Sequence, residues 1–235
     1  MNERRIEFKK VDFTYLPGVP VWSAVDLMIG SGLTLILGAN GSGKSTLLKL
    51  AAGVEKPDFG SVLVNGFDLW RHEVNARRDL AYLPEQPDVT PYASVEEILR
   101  LVCWLRGIPV SDAGEVLLEV GLEDLRKRSL RQLSKGQRRR ALLAAALIGG
   151  PKTLVLDEPL DTMDRGIRVK ISEWLEKVCR SGGLALVATH EIEPFAGLAS
   201  RAIAVAKGRV RVFEPLPVSL QDRLTLLEGL GRSDF

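Results

Sequence analysis

The segment Gly38-Ala39-Asn40-Gly41-Ser42-Gly43-Lys44-Ser45-Thr46 carries the residue types needed to hold a chain of phosphates. Its spacing is G-x-x-x-x-G-K-[ST], the pattern of a phosphate-binding P-loop. Glycines at 38, 41 and 43 permit positive φ, so the backbone can curl around an anion and aim its N–H groups inward. A helix opening near Gly43 would add unsatisfied N–H groups and the positive end of its dipole. Lys44 is then placed to reach the β- and γ-phosphates, the Ser45 hydroxyl to ligate Mg²⁺, and Thr46 to contact the α-phosphate. A second group of chemical residues follows an apolar run at 153–156: Asp157, Glu158 and Pro159. An aspartate closing a buried strand is the Walker-B arrangement, which brings a carboxylate near Mg²⁺. Glu158 can lean toward the γ-phosphate and polarise a water as general base, a role worth about 10²–10⁴ in rate. A solvated acidic turn before proline is the competing reading for Asp157 and Glu158, and the neighbouring phosphate loop disfavours it.

These groups need a scaffold that brings them together. Residues 33–37 read as a short buried strand and 45–52 as the following helix, which is the context a P-loop requires. β-like alternation runs through 4–13 and 19–29, with Pro17-Gly18 as the turn. Residues 61–64 and 80–83 read as further strands. In the middle of the chain, Ser94 can cap a helix with Glu97 as its reciprocal partner. Val95, Ile98, Leu99, Val102 and Leu105 then fall on one face, and Gly107-Ile108-Pro109 ends it. Residues 111–120, 123–128 and 135–148 continue as helices. A strand at 153–157, a helix at 165–180, a strand at 184–189 and a hairpin at 201–213 close the pattern. A short helix in the tail would place Leu220, Leu224 and Leu227 on one side. Strands alternating with helices predict a parallel sheet covered on both faces, with ligands at the carboxyl ends of its strands. The P-loop, Asp157 and His190 all fall at that end.

Composition sets broader bounds. A chain of 235 residues with 46% apolar and 26% charged residues fits one α/β domain with a sizeable core, or two small ones. A net charge of +2 gives no strong nucleic-acid or membrane-surface signal by itself. The basic runs Arg126-Lys127-Arg128 and Arg138-Arg139-Arg140 read as solvated helix faces. Cys103 and Cys179 lack metal spacing and read as buried reduced thiols. The start is too charged for a secretory signal. The longest apolar run, 141–150, is far short of a membrane span.

Between the helices, Leu133-Ser134-Lys135-Gly136-Gln137 stands ahead of a helix and shortly before the 153–157 strand. With the P-loop and the Asp157-Glu158 pair, it resembles the signature of the nucleotide-binding subunits of ATP-binding cassette (ABC) transporters, over nearly the whole chain. Its Lys135 and the helix ending Trp104-Leu105-Arg106-Gly107-Ile108 are most similar to the ABC-2 and drug- or haem-exporter type. The resemblance implies a P-loop NTPase (RecA-like) α/β fold: a mostly parallel sheet with helices on both faces, an N-terminal antiparallel β subdomain and an inserted α-helical subdomain. Within a single domain, 1–30 and about 60–75 would form the β part. Residues 31–59, 76–86 and 151–213 would form the nucleotide-binding core, 87–150 the helical insert with the signature, and 214–235 a short tail.

The same resemblance implies ATP and Mg²⁺ as ligands and ATP hydrolysis as the activity. Gln86 resembles the glutamine that touches Mg²⁺ and water, His190 the switch histidine, and Tyr15 the aromatic that stacks on adenine. Ser134, Lys135, Gly136, Gln137 and Asp164 would act in trans, against the nucleotide of a second nucleotide-binding subunit, in a homo- or heterodimer. Separate membrane-spanning subunits are the implied partners, docked against 86 to about 106, with no nucleic-acid partner. The chain would then be cytoplasmic, peripheral on the inner face of the membrane, powering transport, with export the direction the resemblance implies. Two departures from the family pattern stand out. Lys135 occupies a usual glycine position, with a side chain that can face outward. Leu160-Asp161-Thr162-Met163 replaces the usual segment before Asp164, so that Asp161 would sit close to the partner's P-loop. Two other readings keep the fold: a soluble ABC ATPase serving a cytosolic assembly such as iron–sulfur cluster construction, and a nucleotide-dependent binding module with little hydrolysis. The intact Glu158 and His190 argue against the last.

Overall fold

The computed structural model describes residues 4–232; the first three residues of the charged start and 233–235 of the tail lie outside the described residues. Two long strands come first, β1 (Arg5–Leu16) and β2 (Val19–Gly30), joined at Pro17-Gly18. They alternate buried and exposed residues, as expected when one face of a sheet meets a core and the other meets water. Next are β3 (Gly32–Leu37), α1 (Lys44–Ala52), β4 (Phe59–Val64), β5 (Phe67–Asp68), α2 (Glu73–Arg77) and β6 (Leu80–Leu83). The helical insert holds α3 (Val95–Arg106), α4 (Asp112–Glu119) and α5 (Lys135–Leu147). The chain closes with β7 (Thr153–Asp157), α6 (Arg165–Arg180), β8 (Leu184–Ala188), α7 (Glu193–Ala196), β9 (Ala199–Ala206), β10 (Arg209–Phe213) and α8 (Leu220–Arg232).

Two sheets result. One is antiparallel, in the order β2-β1-β4-β5, and the other has six strands, in the order β10-β9-β3-β8-β7-β6. In the larger sheet every pairing is parallel except that of the edge strand β10 with β9. Its central strands β7 and β8 are buried at every position, and the period of two splits each between two cores. Leu154 and Leu156 face the helical insert and α6, while Val155 faces α1 and the antiparallel sheet. Helix α1 is sandwiched between the two sheets, with Leu47, Leu48 and Leu50 fully buried. That position fixes the P-loop, which ends where α1 begins. Among the described residues no helix is long and apolar enough to cross a membrane.

Helix α3 opens with the predicted capping box: Ser94 Oγ accepts from the Glu97 N–H at 3.2 Å, and the Glu97 carboxylate accepts from the Ser94 N–H at 2.7 Å. Its buried stripe is Val95, Leu99 and Cys103, and Leu105 is 67% exposed rather than packed. Leu105 lies two residues beyond Cys103, roughly 200° around the helix, so both cannot face the core. The expected helix at 123–128 is only a single 3₁₀ turn, Glu123–Leu125. A new capping box, Ser129 with Gln132, restarts the chain as a second such turn, Leu130–Gln132. In the tail, Leu227 and Leu230 are buried whereas Leu220 is exposed, so the apolar face of α8 is set one turn later than predicted.

Candidate nucleotide site

The carboxyl ends of β3, β7 and β8 bring three loops together. They form a cleft of about 620 Å³ lined by Tyr15, Val21, Asn40, Gly41, Gly43, Lys44, Ser45, Thr46, Glu85, Asp157, Glu158 and His190. Gly38 must be glycine: its φ is +152°, and a Cβ there would meet the Val205 carbonyl oxygen at 2.2 Å. Lys44 is buried and donates to the carbonyls of Gly38 at 2.8 Å and Ala39 at 3.0 Å, so its ammonium is folded back onto the loop. Burial holds it below its ordinary value, against the attraction of Glu158 and Asp157. The Ser42 N–H closes a turn onto the Ala39 carbonyl at 3.2 Å.

Asp157 ends β7 with its carboxyl held above the ordinary range by burial, an effect opposed by a hydrogen bond from Ser45. Glu158 has a left-handed backbone, φ +48°, a conformation costing about 1–3 kcal/mol in a non-glycine residue. Its surroundings hold it there. The Glu158 N–H donates to the Ala188 carbonyl at 2.8 Å, and its carboxylate accepts from Thr189 Oγ1 at 3.0 Å and from the His190 N–H at 3.0 Å. Burial raises Glu158 above its ordinary value, and the Thr189 hydroxyl opposes that rise. His190 Nε2 stands 3.6 Å from the same carboxylate. At the other end, Tyr15 is half exposed and packs edge-on against Phe13, with its hydroxyl 3.5 Å from both Thr46 Oγ1 and Lys49 Nζ.

Not every residue singled out from the sequence lines this cleft. Gln86 is exposed and outside the lining, and the neighbouring Glu85 is part of it. Ser134, Lys135, Gly136, Gln137 and Asp164 lie elsewhere. Ser134 caps α5, accepting from the Gln137 N–H at 3.2 Å while the Gln137 side chain accepts from the Ser134 N–H at 3.0 Å. Asp164 caps α6 by accepting from the Ile167 N–H at 3.0 Å. Lys135 faces outward, and its ammonium pairs with Asp161 at 3.1 Å. The two departures from the family pattern are thus joined to each other. Gly136 sits so close beneath that segment that a Cβ would meet the Thr162 carbonyl oxygen at 2.5 Å.

The sequence reading missed Thr189, Glu85 and above all Arg139. The run 138–140 is a solvated face only at Arg138: Arg139 is 6% exposed, and Arg140 is half-buried and donates to the Val120 carbonyl at 3.1 Å. A cation at the helical position expected to face the core was the available signal. The run 126–128 is exposed, as expected.

Among the described residues no cluster of three or more His, Cys, Asp and Glu side chains could hold a metal by itself. Ser45 and Asp157 offer two hard oxygen donors in mutual contact, which suits a magnesium ion whose other ligands are phosphate oxygens and water.

Comparison with known proteins agrees with this geometry. The family model described as ABC transporter matches residues 24–161. The aliphatic sulfonates import ATP-binding protein SsuB of Rhodopseudomonas palustris is 36% identical over 195 residues, covering 81% of this chain and 67% of that protein. The cytochrome c biogenesis ATP-binding export protein CcmA of Cupriavidus necator is 35% identical over 180 residues, covering 75% of this chain and 79% of that one. A solved structure, an ATP binding subunit of an ABC transporter, superposes with a TM-score of 0.82 over 95% of this chain and 94% of its own, at 24% identity, a likeness of fold. The chain belongs to the ABC transporter family, as one of its ATP-binding, ATP-hydrolysing subunits.

Proposed function

We propose that this chain hydrolyses MgATP at a cleft completed by a second nucleotide-binding subunit, and passes the resulting movement to separate membrane-spanning subunits. The observation that carries the reading is the oriented Glu158 carboxylate, held by Thr189 and His190 at the mouth of a cleft whose floor is the P-loop. The loop N–H groups and Lys44 would hold the phosphates, with the ammonium leaving the Gly38 and Ala39 carbonyls for the β- and γ-phosphate oxygens. Tyr15 offers a half-exposed ring to the base. Ser45 and Asp157 are the magnesium ligands of the reading, and the ion supplies charge neutralisation on the phosphate oxygens. Glu158 accepts a proton as the water oxygen attacks the γ-phosphorus and the bridging bond to the β-phosphate breaks. Lys44 offsets the charge that develops on the leaving oxygen. His190, beside Glu158, orients the water. Gln86 is outside the cleft, so its part in this reading requires the 84–87 loop to move inward.

Ser134 to Gln137 and Asp164 lie away from the chain's own cleft, which supports a role against a partner's nucleotide. A subunit placed peripherally on the inner face of the membrane fits this work. The relatives' names divide between import and export, so export rests on the likeness of 133–137 and 104–108 to the exporter type. The test is MgATP turnover by the purified chain with its membrane partner. Lys44→Ala should lower kcat/KM by at least about 10²-fold. Absence of turnover in the unmodified complex would sink the reading.

A further inference from the structure

Ser134 caps helix α5, and one turn into the helix Arg139 points into the protein rather than toward water. Its guanidinium uses both terminal nitrogens fully. Nη1 donates to the carbonyls of Pro84 at 2.6 Å and Glu85 at 3.0 Å. Nη2 donates to the carbonyl of Asp157 and, at 2.9 Å, to that of Glu158. Four backbone acceptors from two loops, more than fifty and about eighteen residues away in sequence, therefore meet on one side chain. Among the described residues no carboxylate forms an ion pair with it; Asp157, Asp161, Glu158 and Glu85 attract it from farther off. A buried cation without an ion pair is expensive, and here carbonyl dipoles substitute for one.

We propose that Arg139 is a positioning residue for ATP hydrolysis: it ties the Glu85 loop and the left-handed Glu158 turn to the helix that carries Ser134. The inference rests on the hydrolytic reading above. The Glu158 peptide is clamped from both sides, its N–H by Ala188 and its carbonyl by Arg139 at 2.9 Å together with the Asp161 N–H at 3.2 Å. Without the guanidinium the carbonyl keeps only the longer bond from the Asp161 N–H, within its own turn, so the turn is no longer tied to α5 and can relax toward ordinary φ, which swings the carboxylate away from the γ-phosphate. The P-loop receives no bond from Arg139, so nucleotide binding does not depend on it. Because Ser134 caps α5, any shift of that segment against a partner's nucleotide is carried to Glu158 by the same side chain.

The test compares Arg139→Gln and Arg139→Lys with the unmodified complex, using Arg138→Gln as a control on the exposed side of the helix. Lysine keeps the charge, but its donors sit on one nitrogen and cannot span both loops. Both Arg139 variants should lose roughly ten- to a hundredfold in kcat per ATP-binding molecule, the scale of an ångström-sized misplacement. KM for MgATP should stay within about twofold, and lysine should not rescue. Hydrogen exchange should rise in peptides covering 84–86 and 157–159 and remain unchanged in α1. Exchange reports on the clamp even without turnover, so absence of activity in the unmodified complex sinks the hydrolytic reading separately. An unchanged kcat, full rescue by lysine, unchanged exchange at both loops, or failure of both variants to fold and bind ATP would overturn the assignment.

Discussion

At the scale of residues, the site is a set of groups held away from their ordinary behaviour. Glu158 is raised by burial and restrained by the Thr189 hydroxyl, which donates to the ionised form. A general base works only when ionised, so its rate is lost as pH falls through its folded value. Thr189→Val removes the donor and raises Glu158 further. The acid limb of the kcat–pH profile should therefore move to higher pH in the variant. A limb that stays in place or moves down would show that Thr189 does not act through that carboxylate. Lys135 and Asp161 are a different case. Their ion pair is largely exposed, 78% and 46% at the side chains, so it adds little stability. The pairing instead removes a bare acid from the neighbourhood of the signature, which is the physical reason both departures can coexist.

At the scale of elements, local signals were strong where chain-local physics decides. The capping box read at Ser94 needs only residues three apart, and it forms; the one at Ser134, equally local, was passed over in the sequence. The P-loop with its flanking strand and helix is equally local. The elements that went differently were settled by what they pack against. Leu105 and Leu220 belong to plausible apolar stripes, yet each is left outside by a helix rotated to bury Cys103 or Leu230 instead. The tail helix α8 is part of the core all the same, since Leu227 is fully buried against the larger cluster. Leu227→Ala should cost about 2–5 kcal/mol, read from urea unfolding, and a loss below about 0.5 kcal/mol would show that α8 docks only loosely.

At the scale of the whole molecule, the chain presents a cleft and, away from it, the segments that resemble a partner-facing surface. If that surface closes on a second subunit, hydrolysis is what reopens the pair. Glu158→Gln keeps the shape of the side chain while removing the base. With saturating MgATP it should run as a dimer on size-exclusion chromatography, and return to monomer on removal of nucleotide. A variant that remains monomeric with ATP bound rejects the homodimer and leaves a heterodimer as the arrangement.

The residues alone determined the phosphate loop, the Asp157-Glu158 pair, the parallel-sheet class and the capped start of α3, because each depends on spacing within a few residues. Tertiary structure decided what crosses the chain. It replaced Gln86 by Glu85 in the cleft, joined Lys135 to Asp161, and turned Arg139 from an apparent surface cation into a buried clamp on two distant loops. The reason is that a charge run has no direction in sequence. Which arginine points inward is fixed only when α5 packs beside the ends of β6 and β7, where four carbonyls await a donor.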